Sequence, residues 1–195
     1  AEAGYAARMS SLLSGLPQEV PAVAINRQCA SGLEAINIAA QLIISNQAEI
    51  VVAGGTESMS QAPFLNTYQS RFGGHSTNSD ALMNSISCPV NQYQMGVTAE
   101  NIASKYKISR EEQDYYALES QRRAIDAIKN SKFKQQIVGV TVSTESGEKV
   151  VDQDECPRTD STIEKLINLP PVFQENGTVT AGNSSVISDG AAAVV

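Results

Sequence analysis

The residue with the clearest chemistry is Cys29. It stands in Asn26-Arg27-Gln28-Cys29-Ala30-Ser31-Gly32, between an apolar run at 20–25 and an amphipathic run at 30–45. With the first as a strand and the second as a helix, the thiol lies at or just before a helix N-terminus. Unpaired amides and the positive end of the helix dipole meet there, and both favour an anion. The turn after a strand of an open α/β sheet is also where ligands bind. Ala30, Ser31 and Gly32 are small and leave room for a substrate. The position supports two readings: a nucleophile that carries an acyl group, or a small buried thiol at a strand end. A cysteine hydrolase needs a histidine beside the thiol and a group to orient it. The chain has one histidine, His75, in a Gly- and Ser-rich stretch, which makes that chemistry a weak rival.

The elements that must hold Cys29 follow from the pattern. Leu33, Ile36, Ala40, Ile43 and Ile44 recur at helical spacing, with Glu34, Asn37, Gln41 and Ser45 opposite. Residues 50–53 form a second apolar strand, halted by Gly54-Gly55. Apolar strand, helix, apolar strand predicts a parallel sheet covered on both faces. Residues 1–13 read as a helix, with Ala6, Ala7, Met9, Leu12 and Leu13 on one side. Residues 58–93 are rich in Ser, Asn, Gln and Gly and read as a long functional excursion. Residues 98–105 then form a short helix. Ser109 and Glu112 make a capping box that opens a helix to about Ile128. Residues 137–143 and 149–151 form a hairpin around Glu145-Ser146-Gly147. Ser161 and Glu164 make a second capping box. Residues 177–181 are extended, 182–185 a turn and 191–195 an apolar strand.

The 195 residues are 42% hydrophobic and 18% charged, the balance of a folded domain rather than a disordered polymer. Fourteen Lys+Arg against 21 Asp+Glu give a net charge of −7, which argues against nucleic-acid binding. No apolar run approaches the roughly 20 residues that span a bilayer. Cys29, Cys88 and Cys156 are widely spaced with no CxxC pair, so a disulfide framework or zinc site is disfavoured. A reducing compartment fits, and the cytoplasm is the expected location, with a targeting peptide before Ala1 left open. Asp152, Asp154 and Glu155 lack metal-ligand spacing and read as solvated. Ala1 opens inside a helix pattern and Val195 closes inside a strand pattern, so the chain is expected to be an internal part of a longer protein.

Four segments in order, NRQCASGLEAI, VVAGGTESMSQAP, QMGVTAENIASKYKISREEQD and GTVTAGNSSVISDGAAA, closely resemble the thiolases, in particular their acetyl-CoA acetyltransferase group. The resemblance covers essentially the whole chain. It implies an α/β, partial thiolase fold: a layered α-β-α core with an inserted α+β loop domain. Residues 1–57 would belong to the N-terminal domain, 58–185 to the loop domain and 186–195 to a return strand of the core, with the C-terminal domain absent. Cys29 matches the acyl-accepting nucleophile of a ping-pong reaction that condenses two acetyl-CoA molecules to acetoacetyl-CoA and runs thiolysis in reverse. The segment around Met95 matches the wall of the acyl pocket. Arg158 resembles the arginine at the adenine-nucleotide end of CoA. Ser185 resembles the serine on the pantetheine arm, beside Ala181 and Gly182, and Phe173 lies where the family flanks the CoA chain. No resident cofactor or metal is implied, with CoA serving as substrate and product. Acetyl-CoA and acetoacetyl-CoA are the expected partners, with a homodimer or homotetramer when full length and no nucleic acid or membrane.

The same residues have plainer readings. Met95 fits a core gap-filler, Arg158 a solvated charge and Ser185 a cap of the turn. Gly54-Gly55 reads as a turn or a close packing site. His75 reads as a surface or subunit-interface loop, and Cys88 and Cys156 as structural. One departure from the short-chain enzymes stands out: Gln94 occupies the place of a histidine just before Met95-Gly96. A longer-chain 3-ketoacyl-CoA thiolase therefore stays open, as does a CoA-binding fragment without activity. The resemblance puts the catalytic histidine and the second cysteine in the absent domain, so the 195-residue chain alone is expected to be inactive.

Overall fold

Helix α2 (Ser31–Ile44) forms where the apolar spacing predicts it, with Ala30 at its N-cap. The computed structural model describes residues 5–66, 73–74 and 77–195. They fall into two compact units, Ala1–Gln61 with Ser188–Val195, and Ala62–Ile187. The first holds α1 (Ala6–Leu13), α2, and the antiparallel pair β1 (Ala53–Ser58) and β6 (Asp189–Val194). Its core sits at Ala39 of α2 and Ala53 of β1, while Leu33, Ile36, Ile43 and Ile44 are exposed.

Three expectations for this unit are corrected. Residues 20–25 pair with no strand among the described residues. The second strand is not halted by Gly54-Gly55 but runs through them from Ala53 to Ser58. A Cβ at Gly54 would lie 2.8 Å from the carbonyl oxygen of Ala192, so the glycine permits close approach of β6 rather than a turn. The sheet is antiparallel, with Gly54 opposite Ala193 and Thr56 opposite Ala191. A βαβ crossover forces parallel pairing. β6 instead reaches β1 after the whole of the second unit, and so long a connection leaves the direction free. Asp189 closes the pair: its carboxylate accepts from the Ser60 amide at 2.9 Å and the Ser58 hydroxyl at 3.3 Å.

The second unit carries β2 (Phe64–Asn66), β3 (Asn78–Asp80), α3 (Ala81–Ser85), α4 (Met95–Tyr106), α5 (Arg110–Lys129), β4 (Val140–Thr144), β5 (Gly147–Val151) and α6 (Ile163–Ile167). The 58–93 stretch is therefore not featureless. Asp80 accepts from the Leu82 and Met83 amides to start α3, a short-range device that periodicity does not reveal. α4 begins three residues earlier than expected, at Met95. The cap of α6 is Thr162, not Ser161, and its side chain accepts from the Lys165 amide. The capping box of α5 forms as predicted, with the Ser109 amide donating to Glu112 at 2.7 Å and the Glu112 amide donating to the Ser109 hydroxyl at 3.1 Å. Ser109→Ala is expected to destabilise the unit by about 1 kcal/mol. Urea unfolding followed by circular dichroism checks this; an unchanged midpoint would mean the cap contributes nothing.

Candidate active site

Cys29 lies two residues before the first residue of α2, and it is exposed. The turn that presents it is built from its neighbours. Gln28 takes φ +52°, a left-handed conformation uncommon for a side-chain-bearing residue. That reversal lets the Ala30 amide donate to the Arg27 carbonyl at 3.1 Å and the Ser31 amide to the Gln28 carbonyl at 3.0 Å. The Ser31 hydroxyl bridges the turn, accepting from the Arg27 amide at 2.8 Å and donating to the Gln28 carbonyl at 2.6 Å. Asn26 accepts from the Gln28 amide at 3.0 Å. Arg27 reaches Glu34, one turn into α2, at 2.6 Å. The amides of Gly32 and Leu33 find no acceptor among the described residues. The result is an exposed thiol on a strained, side-chain-braced turn beside free helix amides, a geometry suited to a nucleophile whose reacting carbonyl develops negative charge.

The remaining candidates lie in the second unit. Met95 is the first residue of α4 and 45% exposed. Phe173 stacks on the next residue: a Cβ at Gly96 would lie 2.3 Å from its ring. Phe173, Ala181 and Ser185 share one segment, closed by the Pro171–Thr180 bridge and by the Val172 amide donating to the Val179 carbonyl at 3.0 Å. Ala181 and Ser185 are exposed on the turn that follows. Arg158 lies elsewhere in the unit. Its amide donates to Gln121 at 2.8 Å, and its side chain lines a cleft of about 480 Å³ with Gln121, Arg122 and Lys129. Cys29 is thus in one unit and the five other candidates in the other. Cys156 is exposed. The sulfur of half-buried Cys88 accepts from the Asn91 amide at 3.4 Å. His75 lies outside the described residues.

Sequence reasoning missed the polar groups that hold this segment. Glu100 of α4 is 6% exposed and Asp114 of α5 fully buried. Glu100 accepts from the Thr178 amide at 2.8 and 2.9 Å, the Thr178 hydroxyl at 2.8 Å and the Val179 amide at 2.8 Å. Asp114 accepts from Arg110 at 2.7 Å and from the Asn183 amide group at 3.0 Å. Asn183 also caps its own turn, accepting from the Thr180 amide at 2.8 Å. Arg110 donates to the carbonyls of Leu166 and Leu169 at 2.7 and 3.0 Å, tying down the end of α6. One signal was present: Glu100 falls at helical spacing between Gly96 and Ala103, so a carboxylate lies on a stripe of small residues and must find donors there.

Burial pushes the Glu100 carboxyl up, but the Val179 and Thr178 donors and the Arg110 charge outweigh it and hold the group below its ordinary 4.5. A carboxyl lowered in the folded state stabilises fully above its unfolded value, and that stability is lost as pH falls through the folded value. Acid titration below pH 4.5 is therefore expected to weaken this unit, and Glu100→Gln to lose less over the same interval. Equal acid sensitivity of the two proteins, read by circular dichroism, would contradict the assignment.

Comparison with known proteins gives the family. The profile of the thiolase N-terminal domain matches residues 1–195. A probable acetyl-CoA acyltransferase of Staphylococcus aureus is 47% identical over 191 residues, covering 95% of this chain and 48% of that protein. Human mitochondrial 3-ketoacyl-CoA thiolase superposes with a TM-score of 0.93 at 44% identity, over 99% of this chain and 50% of that one. The acetyl-CoA acetyltransferase of Bacillus anthracis gives 0.92 at 42% identity, over 98% and 49%. The chain spans about half the length of these relatives. Its α/β architecture is a partial thiolase fold. With a matching family profile along its full length and close relatives in both sequence and structure, the chain belongs to the thiolases, a family of acyltransferases.

Proposed function

We propose that this chain supplies the acyl-accepting cysteine and CoA-contacting residues of an acetyl-CoA C-acetyltransferase. The observation that carries the reading is Cys29, exposed on a braced turn at the N-terminus of α2. In the first half-reaction the Cys29 sulfur attacks the acetyl carbonyl, the carbon–sulfur bond to CoA breaks, and CoA leaves with the proton of the thiol. In the second, a base takes a methyl proton from another acetyl-CoA, the carbanion attacks the Cys29 thioester carbonyl, the carbon–sulfur bond to Cys29 breaks, and acetoacetyl-CoA departs as the proton passes to the Cys29 sulfur. Thiolysis is the reverse. Met95 would line the acyl pocket, Phe173, Ala181 and Ser185 the arm of CoA, and Arg158 its nucleotide end. The resemblance assigns the base to the half of the relatives' length that this chain does not span, so the 195 residues by themselves are expected to show no steady-state thiolysis.

A second reading, a thiolase for longer 3-ketoacyl-CoA substrates, has one specific support. Gln94 replaces the histidine of the short-chain enzymes, and its side chain donates to the Met83 sulfur at 3.6 Å. Rates of the whole protein with 3-ketoacyl-CoA of increasing chain length decide between them. Highest kcat/KM with acetoacetyl-CoA supports the first, and a steady rise with chain length overturns it. The likeness to bacterial acyltransferases favours the cytoplasm for the whole protein, with an organelle as the alternative, and the family resemblance favours a homodimer or homotetramer; fractionation and sedimentation check both.

A further inference from the structure

Helix α4 meets the Phe173–Ser185 segment at Gly96 and Glu100, which lie four residues apart on the helix, and both approaches are close. A Cβ at Gly96 would strike the Phe173 ring at 2.3 Å, and one at Gly177 would strike Glu100 Oε1 at 2.3 Å. Between these contacts the two oxygens of Glu100 take the Thr178 amide, the Thr178 hydroxyl and the Val179 amide. The two backbone amides are obligate donors, and the Thr178 amide lies 2.8 and 2.9 Å from the two Glu100 oxygens, so a carboxamide would turn its own N–H group on that amide. The Thr178 hydroxyl donates to Glu100 and accepts from Gln113 at 3.0 Å. Phe173 and the 181–185 turn therefore cannot slide along α4 without breaking charge-assisted bonds in a nearly dry setting. Met95 precedes Gly96 on the same helix, so this register also fixes how far Met95 stands from Phe173.

We propose that Glu100 is a positioning residue of the CoA groove, setting the register of the Phe173–Ser185 segment against α4. It touches no substrate and acts through the backbone it grips. The proposal rests on the reading of this unit as CoA-binding and deepens it. A flexible arm such as pantetheine binds tightly only to walls already set, because each wall that must be ordered on binding reduces the affinity.

The test is calorimetric titration of the whole protein and its variants with coenzyme A, alongside thermal unfolding. Glu100→Gln is expected to weaken CoA binding about tenfold, and Thr178→Val, which removes one donor and keeps both amides, about threefold. Thr178→Ser restores the affinity. Ser109→Ala lowers the unfolding midpoint without changing CoA affinity, which separates positioning from stability. Wild-type affinity in Glu100→Gln, or an equal loss in Ser109→Ala, overturns the proposal and leaves the acyl-CoA reading intact. No heat of binding with the unsubstituted, folded protein contradicts the acyl-CoA reading of this unit, and the proposal falls with it. If Glu100→Gln does not fold, Thr178→Val against Thr178→Ser decides alone: equal affinities overturn it.

Discussion

Cys29→Ser is expected to lower acyl transfer by the whole protein by about 10³-fold or more, since a serine hydroxyl at that position is far less ionised than a thiol and forms a poorer acyl carrier. The loss falls on chemistry rather than folding. Cys29 is exposed and accepts no hydrogen bond among the described residues, and its turn is braced by Ser31, Asn26 and the Arg27–Glu34 pair. The circular dichroism spectrum and unfolding midpoint should therefore stay at wild-type values. Cys88→Ser and Cys156→Ser are expected to keep activity within about threefold, since neither residue belongs to the turn that opens α2. The rate is read from loss of acetoacetyl-CoA absorbance in the presence of CoA. Alkylating reagents discriminate less well. The Asn91 and Val90 amides draw the Cys88 thiol below its ordinary 9.0, a shift that favours alkylation at that sulfur. Substitution of each cysteine, rather than labelling, isolates the nucleophile.

Asp114→Ala is expected to cost the second unit about 3–5 kcal/mol, the largest stability effect in the chain. Asp114 is fully buried, and removing its carboxylate leaves two groups without their partner. The guanidinium of Arg110 loses its 2.7 Å contact while still pinned to the carbonyls of α6, and Asn183 loses its 3.0 Å acceptor. The cost is that of stranded polar groups rather than of one missing bond. Asp114→Asn, which keeps an acceptor for Asn183, should cost less. Urea unfolding followed by circular dichroism measures both. A loss for Asp114→Ala below about 1 kcal/mol, the value of a solvated ion pair, would show that the network does not hold the unit together.

What the sequence revealed followed the range of the interactions. Helix α2, the Ser109–Glu112 box and the Glu145-Ser146 hairpin turn rest on residues within a few positions of one another, and each formed where the pattern put it. The direction of the β1–β6 pair depends on a partner more than 130 positions away, and local apolarity carries no record of it. Gly54-Gly55 shows the same limit: as a dipeptide it signals a turn, but across the sheet it admits the Ala192 carbonyl. The site divided in the same way. Cys29 is legible because its turn and its helix are contiguous. Glu100 and Asp114 are not, because their meaning lies in Thr178, Val179 and Asn183, which are 69–79 positions distant. The motifs TAEN and GTVTAGN stand apart in the chain, and only the fold shows that the carboxylate of one serves the amides of the other.

In the proposed reaction the Cys29 sulfur holds the acyl group between donor and acceptor. The most direct measurement is to mix the whole protein with isotopically labelled acetyl-CoA, quench in acid within one turnover and sequence the labelled peptide by mass spectrometry. A single thioester on Cys29 within NRQCASGLEAI, discharged by added CoA, is the expected result. Label on Cys88, on Cys156 or on any hydroxyl, or turnover with no covalent acetyl group, would contradict it.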